Sequence, residues 1–120
     1  MTKAASDPTA DVLASFVELA QRYHRAVLAG AEPRITDAHV DRVNGEYRRL
    51  KAAGLATRLA ELLDSQDPGV RYLAAVHVLG FDPARGEAVL TEMAEGPPGP
   101  TALLAYASLV QWRAGALNLL

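Results

Sequence analysis

Asp64-Ser65-Gln66-Asp67-Pro68-Gly69-Val70-Arg71-Tyr72-Leu73-Ala74-Ala75-Val76-His77-Val78-Leu79 reads as the turn of a helical hairpin followed by a buried helix. Asp67 is placed to accept from the first backbone N–H groups of that helix, and Pro68 fits its first position, where a missing donor has no partner to lose. Val70, Ala74 and Val78 then recur at one-turn spacing and predict the inward face. Helical hairpins of this kind stack, and the surfaces of such stacks bind other molecules.

Working toward the N-terminus, Asp7-Pro8 looks like another cap and first position. Val12, Phe16, Leu19, Tyr23, Ala26 and Val27 step along one face up to Gly30, which predicts a first helix over about 8–29. Ala31 to Ile35 reads as a connection. Thr36 or Asp37 then caps a second helix whose Val40, Val43, Tyr47 and Leu50 are spaced three, four and three apart, ending near Gly54. Gly45 inside it costs about 1 kcal/mol relative to alanine, which a close helix crossing or a local bend would explain. Leu55, Leu59, Leu62 and Leu63 mark a short third helix, the first arm of a tight hairpin with the helix after Asp67.

Toward the C-terminus, Asp82-Pro83 echoes Asp67-Pro68 and opens a fifth helix, with Ala84, Ala88, Val89 and Met93 predicted to face inward before Gly96. Gly96-Pro97-Pro98-Gly99-Pro100 cannot be helical, so Thr101 to Ala114 is a separate sixth helix, its turns marked by Leu103, Leu104, Ala107, Val110 and Gln111. Gly115 ends it, and the apolar Leu117–Leu120 tail is expected to dock on the body. The expected fold is all-α, one domain over 1–120, with about six helices in three stacked antiparallel hairpins.

Composition agrees. Half of the 120 residues are hydrophobic but 6% are aromatic, so alanine and leucine supply most of the packing, which suits closely spaced helices. The absence of cysteine removes disulfides, thiolate nucleophiles and cysteine metal sites. The N-terminus lacks the apolar core of a secretion signal, and the longest apolar-rich run, 102–110, is too short to span a bilayer, so a soluble cytoplasmic protein is expected. Net charge is −2, with nine Lys/Arg against seven Asp/Glu in residues 1–60 and three against seven in 61–120. That asymmetry falls well short of a basic stripe built for nucleic acid.

Leu59-Ala60-Glu61-Leu62-Leu63-Asp64, then Asp67-Pro68-Gly69-Val70-Arg71, then Ala74-Ala75 resembles a HEAT repeat, in which a leucine-rich helix turns through Asp-Pro into a Val-Arg-x-x-Ala-Ala helix. The likeness covers residues 58–80. Over the whole chain, the long first helix, charged second helix, this hairpin and the closing Trp112-Arg113-Ala114-Gly115 look like a small bacterial HEAT-like family of unknown function. The resemblance implies an α-α superhelix and no particular activity. It also implies core places for Val70, Ala74 and Val78, and a structural pairing of Arg71 with a carboxylate in a neighbouring turn, Asp64, Asp67 or Asp82. Tyr72 and Val76 depart from the pattern at commonly polar positions, and His77 at a commonly small one.

No catalytic constellation is evident. His24, His39 and His77 lie on three predicted helices, none has a histidine or carboxylate four residues on, and no zinc spacing emerges. His24, between Arg22 and Arg25, reads as solvated, and His77 as a hydrogen-bonded histidine between helices. Arg42, Arg48, Arg49, Lys51 and Arg58 could contact phosphates, as in HEAT-like proteins that cradle duplex DNA, but Asp37, Asp41 and Glu46 interleave with them, so a solvated face with local ion pairs is the preferred reading.

Tyr72, Val76 and Leu79 form a second apolar stripe beside the core-facing one, either a partner site on a concave surface or a face covered by the sixth helix or the tail. Trp112 either closes the core edge or, exposed beside Arg113, marks an interface. The expectation is a non-enzymatic protein–protein interaction module, of immunity or regulatory type, that binds an unidentified protein through Tyr72, Val76, Arg71 and Trp112. It needs no cofactor, metal or membrane and is a monomer or homodimer. The alternative is a nucleic-acid-associated protein using Arg42, Arg48, Arg49, Lys51 and Arg58.

Overall fold

Pro33, Pro68, Pro83 and Pro100 each open a helix, because a residue without an N–H loses nothing in a first turn whose donors have no intrahelical partner. The computed structural model describes residues 8–117, with side chains from residue 13 on. Among them are α1 (Pro8–Leu28), α2 (Pro33–Ala52), a 3₁₀ helix (Ala56–Asp64), α3 (Pro68–Val78), α4 (Pro83–Ala94) and α5 (Pro100–Arg113), and no strand. The fold is all-α and arranged as helical hairpins. The chain divides into two compact units, Met1–Arg58 and Leu59–Leu120.

In the first unit α1 and α2 pack together as a hairpin. Leu13, Phe16, Ala20, Tyr23 and His24 form the buried face of α1, and Val43, Tyr47 and Leu50 that of α2. Asp7, the expected cap of α1, lies outside the described residues, as does the Val12 side chain. Beyond α1, Gly30 at φ +71° lets its own N–H donate to the Val27 carbonyl at 3.0 Å while Ala31 N–H reaches Ala26 O at 3.0 Å, so the last carbonyls are satisfied as the chain reverses.

Two expectations about α2 are corrected. Its N-cap is Glu32 and it begins at Pro33, so the expected caps Thr36 and Asp37 both lie inside it, and the Thr36 hydroxyl donates to Pro33 O at 3.1 Å. Nor does Gly45 mark a close crossing, since a Cβ there would meet nothing within 4 Å.

In the second unit the Asp67 carboxylate accepts from Gly69 N at 2.9 Å and Val70 N at 3.2 Å and starts α3 at the expected residue. From Gly69 to Val78 every residue of α3 except Arg71 is buried. Helix α4, capped by Asp82 at Arg85 N, packs on α3, and α5 packs on α4 and more lightly on α3.

The inward face of α4 differs from expectation, and that of α5 was left open by its spacing. Gly86 and Leu90 are the buried residues of α4, while Ala84 and Ala88 are exposed and Val89 and Met93 half-buried. Ala105, Ser108 and Leu109 are those of α5, while Leu103, Ala107, Val110 and Gln111 face solvent. Both helices carry alanine or larger apolar residues on several sides, so spacing alone did not select the face. At Gly86 a Cβ would lie 2.8 Å from Leu79 Cδ2 and 2.9 Å from both Ala75 O and Leu79 N, which is how closely α4 approaches α3. Of the expected docking tail, only Leu117 lies within the described residues.

Candidate functional site

Tyr72 is 7% exposed and Val76 9%. The Tyr72 hydroxyl sits 2.7 Å from Ser108 Oγ on α5. Burial pushes the phenol pKa up, and the hydrogen bond to Ser108 offsets part of that rise. A partner therefore has no access through Tyr72 and Val76, and for Tyr72 the covering element is the sixth helix, α5.

Within Gly69–Val78, Arg71 is the one residue that reaches past this core. Its Nε–H donates to Leu63 O at 3.0 Å and its guanidinium pairs with the Glu92 carboxylate on α4. The carboxylate is thus Glu92, and not Asp64, Asp67 or Asp82. Those three are near in sequence, but Glu92 lies on α4, the helix that runs against α3 at Gly86. One side chain thereby ties the 3₁₀ helix, α3 and α4 together.

Arg71 and Glu92 line a groove of about 490 Å³ whose other walls include Pro68, Met93, Pro97 and Pro98. A hollow of about 450 Å³ continues past Arg71 to Ser65 and Gln66. The groove is mainly apolar and its one cation and one anion neutralise each other. Among the described residues no group of three His, Cys, Asp or Glu side chains is placed to hold a metal ion.

Trp112 is half-buried, and its indole N–H donates to Glu87 Oε2 at 3.1 Å while Arg113 pairs with Glu87 Oε1 at 3.4 Å. Glu87 thus fastens the end of α5 to α4, a clamp that spacing did not announce because its members are 25 and 26 residues apart.

Arg42, Arg48, Arg49 and Lys51 are exposed on α2 and Arg58 is half-buried. At about 100° per residue, Arg42 and Arg49 share one flank of the helix, and Arg48 and Lys51 lie toward the other with Asp37 and Asp41 among them. Arg49 pairs with Glu46 at 3.2 Å. These cations do not form an unbroken row for a phosphate backbone.

The histidines are dispersed. His24 is buried rather than solvated, because it falls one turn after Ala20 on the inner face and its arginine neighbours point elsewhere. His77 is buried, and burial lowers its pKa to about 4, so it is neutral near pH 7. His39 is half-exposed on α2.

The feature missed in the sequence is on α5. Leu103, Tyr106 and Val110 are 69%, 62% and 48% exposed, three and four residues apart on one side, with Ala107 exposed between them and Ala114 exposed just past the end of the helix. A hollow of about 360 Å³ carries the same surface from Leu103 and Tyr106 to Ala94 and Pro98. The signal available was the absence of any charge from Pro100 to Trp112; the one charged residue of α5, Arg113, pairs with Glu87.

No protein-family model, curated protein or solved structure matches this chain. Function has to be argued from the surface itself. Among the described residues no helix is long and apolar enough to cross a membrane.

Proposed function

We propose that this chain is a non-enzymatic protein-binding module of the cytoplasm, built from HEAT-like hairpins, that docks through the outer face of α5. The observation that carries this reading is the row Leu103, Tyr106 and Val110. Single exposed hydrophobic residues are ordinary, but three large ones aligned on a helix face without charge make a contiguous patch of the kind that marks an interaction site. Tyrosine is a favoured anchor in such patches. The HEAT-like run 58–80 supports the reading by fold analogy, and a regulatory or immunity-type binder is the class of protein it suits.

A photoreactive benzophenone amino acid at Tyr106, with one at the exposed Ala88 of α4 as control, tests it in the chain's own cells. The expected result is a protein adduct at position 106 and none at 88; absence of any protein adduct at 106 overturns the reading. For the nucleic-acid alternative, the expected outcome is no retention of duplex DNA even at low salt. Binding that falls steeply between 50 and 200 mM salt, and weakens further in Arg48→Ala and Arg49→Ala, would favour the α2 face instead.

A further inference from the structure

Resting on that reading, we infer that the partner on the α5 face is a second copy of this chain, paired with the first through antiparallel α5 helices about a two-fold axis. The first argument is shape. The exposed residues Leu103, Ala107, Val110 and Ala114 alternate large and small at spacings of four, three and four, the seam of an antiparallel helix pair. The register that sets Leu103 against Ala114 of a second copy also sets Ala107 against Val110, because both pairs are centred between Ser108 and Leu109. Symmetry repeats each contact, so Leu103 and Val110 each meet an alanine methyl group, and Tyr106 falls opposite Gln111. A parallel pairing would set Leu103 against Leu103 and Ala107 against Ala107, with crowding at one level and a gap at the next.

The second argument is charge. Leu103, Tyr106, Ala107, Val110, Gln111 and Ala114 include no ionised group, and Arg113 at the edge is paired with Glu87. A charged peptide laid on this face would lose hydration without gaining a counter-charge. A second α5 brings a face as neutral as the first.

Area sets the strength. At their observed exposures Leu103, Tyr106 and Val110 leave on the order of 350 Å² to solvent, within the range in which an exposed patch is functional. Two copies would bury on the order of 700 Å² from these side chains, with the alanines and Pro98 in addition, which is the range of weak, transient contacts. The dimer is therefore concentration-dependent, and separate copies expose the face to each other.

The chain has no cysteine, so introduced ones report the register without background. Leu103→Cys mixed with Ala114→Cys is expected to give a disulfide-linked dimer under mild oxidation, while neither variant links to itself, because like residues then lie about 16 Å apart along the helices, beyond disulfide reach. Sedimentation velocity of the unaltered chain should show monomer giving way to dimer from low to high micromolar concentration, with Tyr106→Glu and Val110→Glu monomeric throughout and unchanged in circular dichroism. Leu103→Cys linking to itself as readily as the mixture overturns the antiparallel pairing. A benzophenone adduct to a different protein, with no disulfide and no dimer, discards the second copy and leaves the docking face standing; no adduct and no disulfide discards both.

Discussion

Replacing Gly86 by alanine sets two opposing terms against each other at the α3–α4 crossing. Alanine favours the helix over glycine by about 1 kcal/mol. The added Cβ, however, would fall 2.9 Å from both Ala75 O and Leu79 N, the acceptor and donor of one backbone hydrogen bond, and 2.8 Å from Leu79 Cδ2. The Leu79 side chain can rotate away; the two backbone atoms cannot. Helix α4 must move off α3 by roughly half an ångström or more, and a gap of that size forfeits a quarter to a half of the dispersion energy along the contact. Overpacking of this kind costs about 1–3 kcal/mol, so a net loss of roughly 1–2 kcal/mol is expected. In urea unfolding followed by circular dichroism this appears as a midpoint lower by about 0.5–1 M at an unchanged slope. Gly45→Ala in α2 is the control, since its Cβ meets nothing within 4 Å; with only the propensity term acting, it should raise stability by about 0.5–1 kcal/mol. A Gly86→Ala protein as stable as the parent, or shifted in the same direction as Gly45→Ala, would refute the close approach of the two helices.

Asp67→Ala removes the acceptor for Gly69 N and Val70 N and should cost about 1 kcal/mol in thermal unfolding, with Asp67→Asn close to neutral. Tyr72→Phe should cost about 1 kcal/mol in urea unfolding by stranding the buried Ser108 hydroxyl, and Tyr72→Ala about 3–5 kcal/mol; a near-neutral Tyr72→Ala would return that side chain to the surface. His77 has a folded-state pKa of about 4, below the ordinary 6.5, so the unfolded chain takes up its proton first. Its contribution is fully present above about pH 6.5 and is lost as pH falls toward 4, by up to about 3 kcal/mol. Stability measured from pH 7 to 4 should fall more steeply in the parent than in His77→Leu.

Helix starts were legible wherever a local signal acts alone. Asp67-Pro68 and Asp82-Pro83 begin α3 and α4 at the residues expected, because a side-chain cap and a proline at the first position need no tertiary partner. The core of α2 was also readable, since Val43, Tyr47 and Leu50 are large residues amid polar ones. Faces were lost where that contrast fails. Helix α5 is apolar on nearly every side, so its spacing marked the turns at Leu103 and Val110 without selecting the inner face, which Ala105, Ser108 and Leu109 hold. Helix α4 hides its contact at a glycine, the residue a hydrophobic count ignores. Of the candidate site, the HEAT-like pattern implied that Arg71 pairs with a carboxylate, but its partner Glu92 lies 21 residues away, and such a pairing depends on which faces of α3 and α4 meet.

The two Asp-Pro starts bear on how fast the chain reaches its native state. Each sets the first turn of its helix from covalent neighbours alone, so the register of α3 and α4 is chosen before any distant contact forms. Most packing then joins elements adjacent in sequence, α1 with α2, α3 with α4 and α4 with α5. Little loop entropy stands in the way, and relaxation in the microsecond-to-millisecond range follows for a topology of such low contact order. Newly made chains would thus spend little time with their apolar faces open to misassembly.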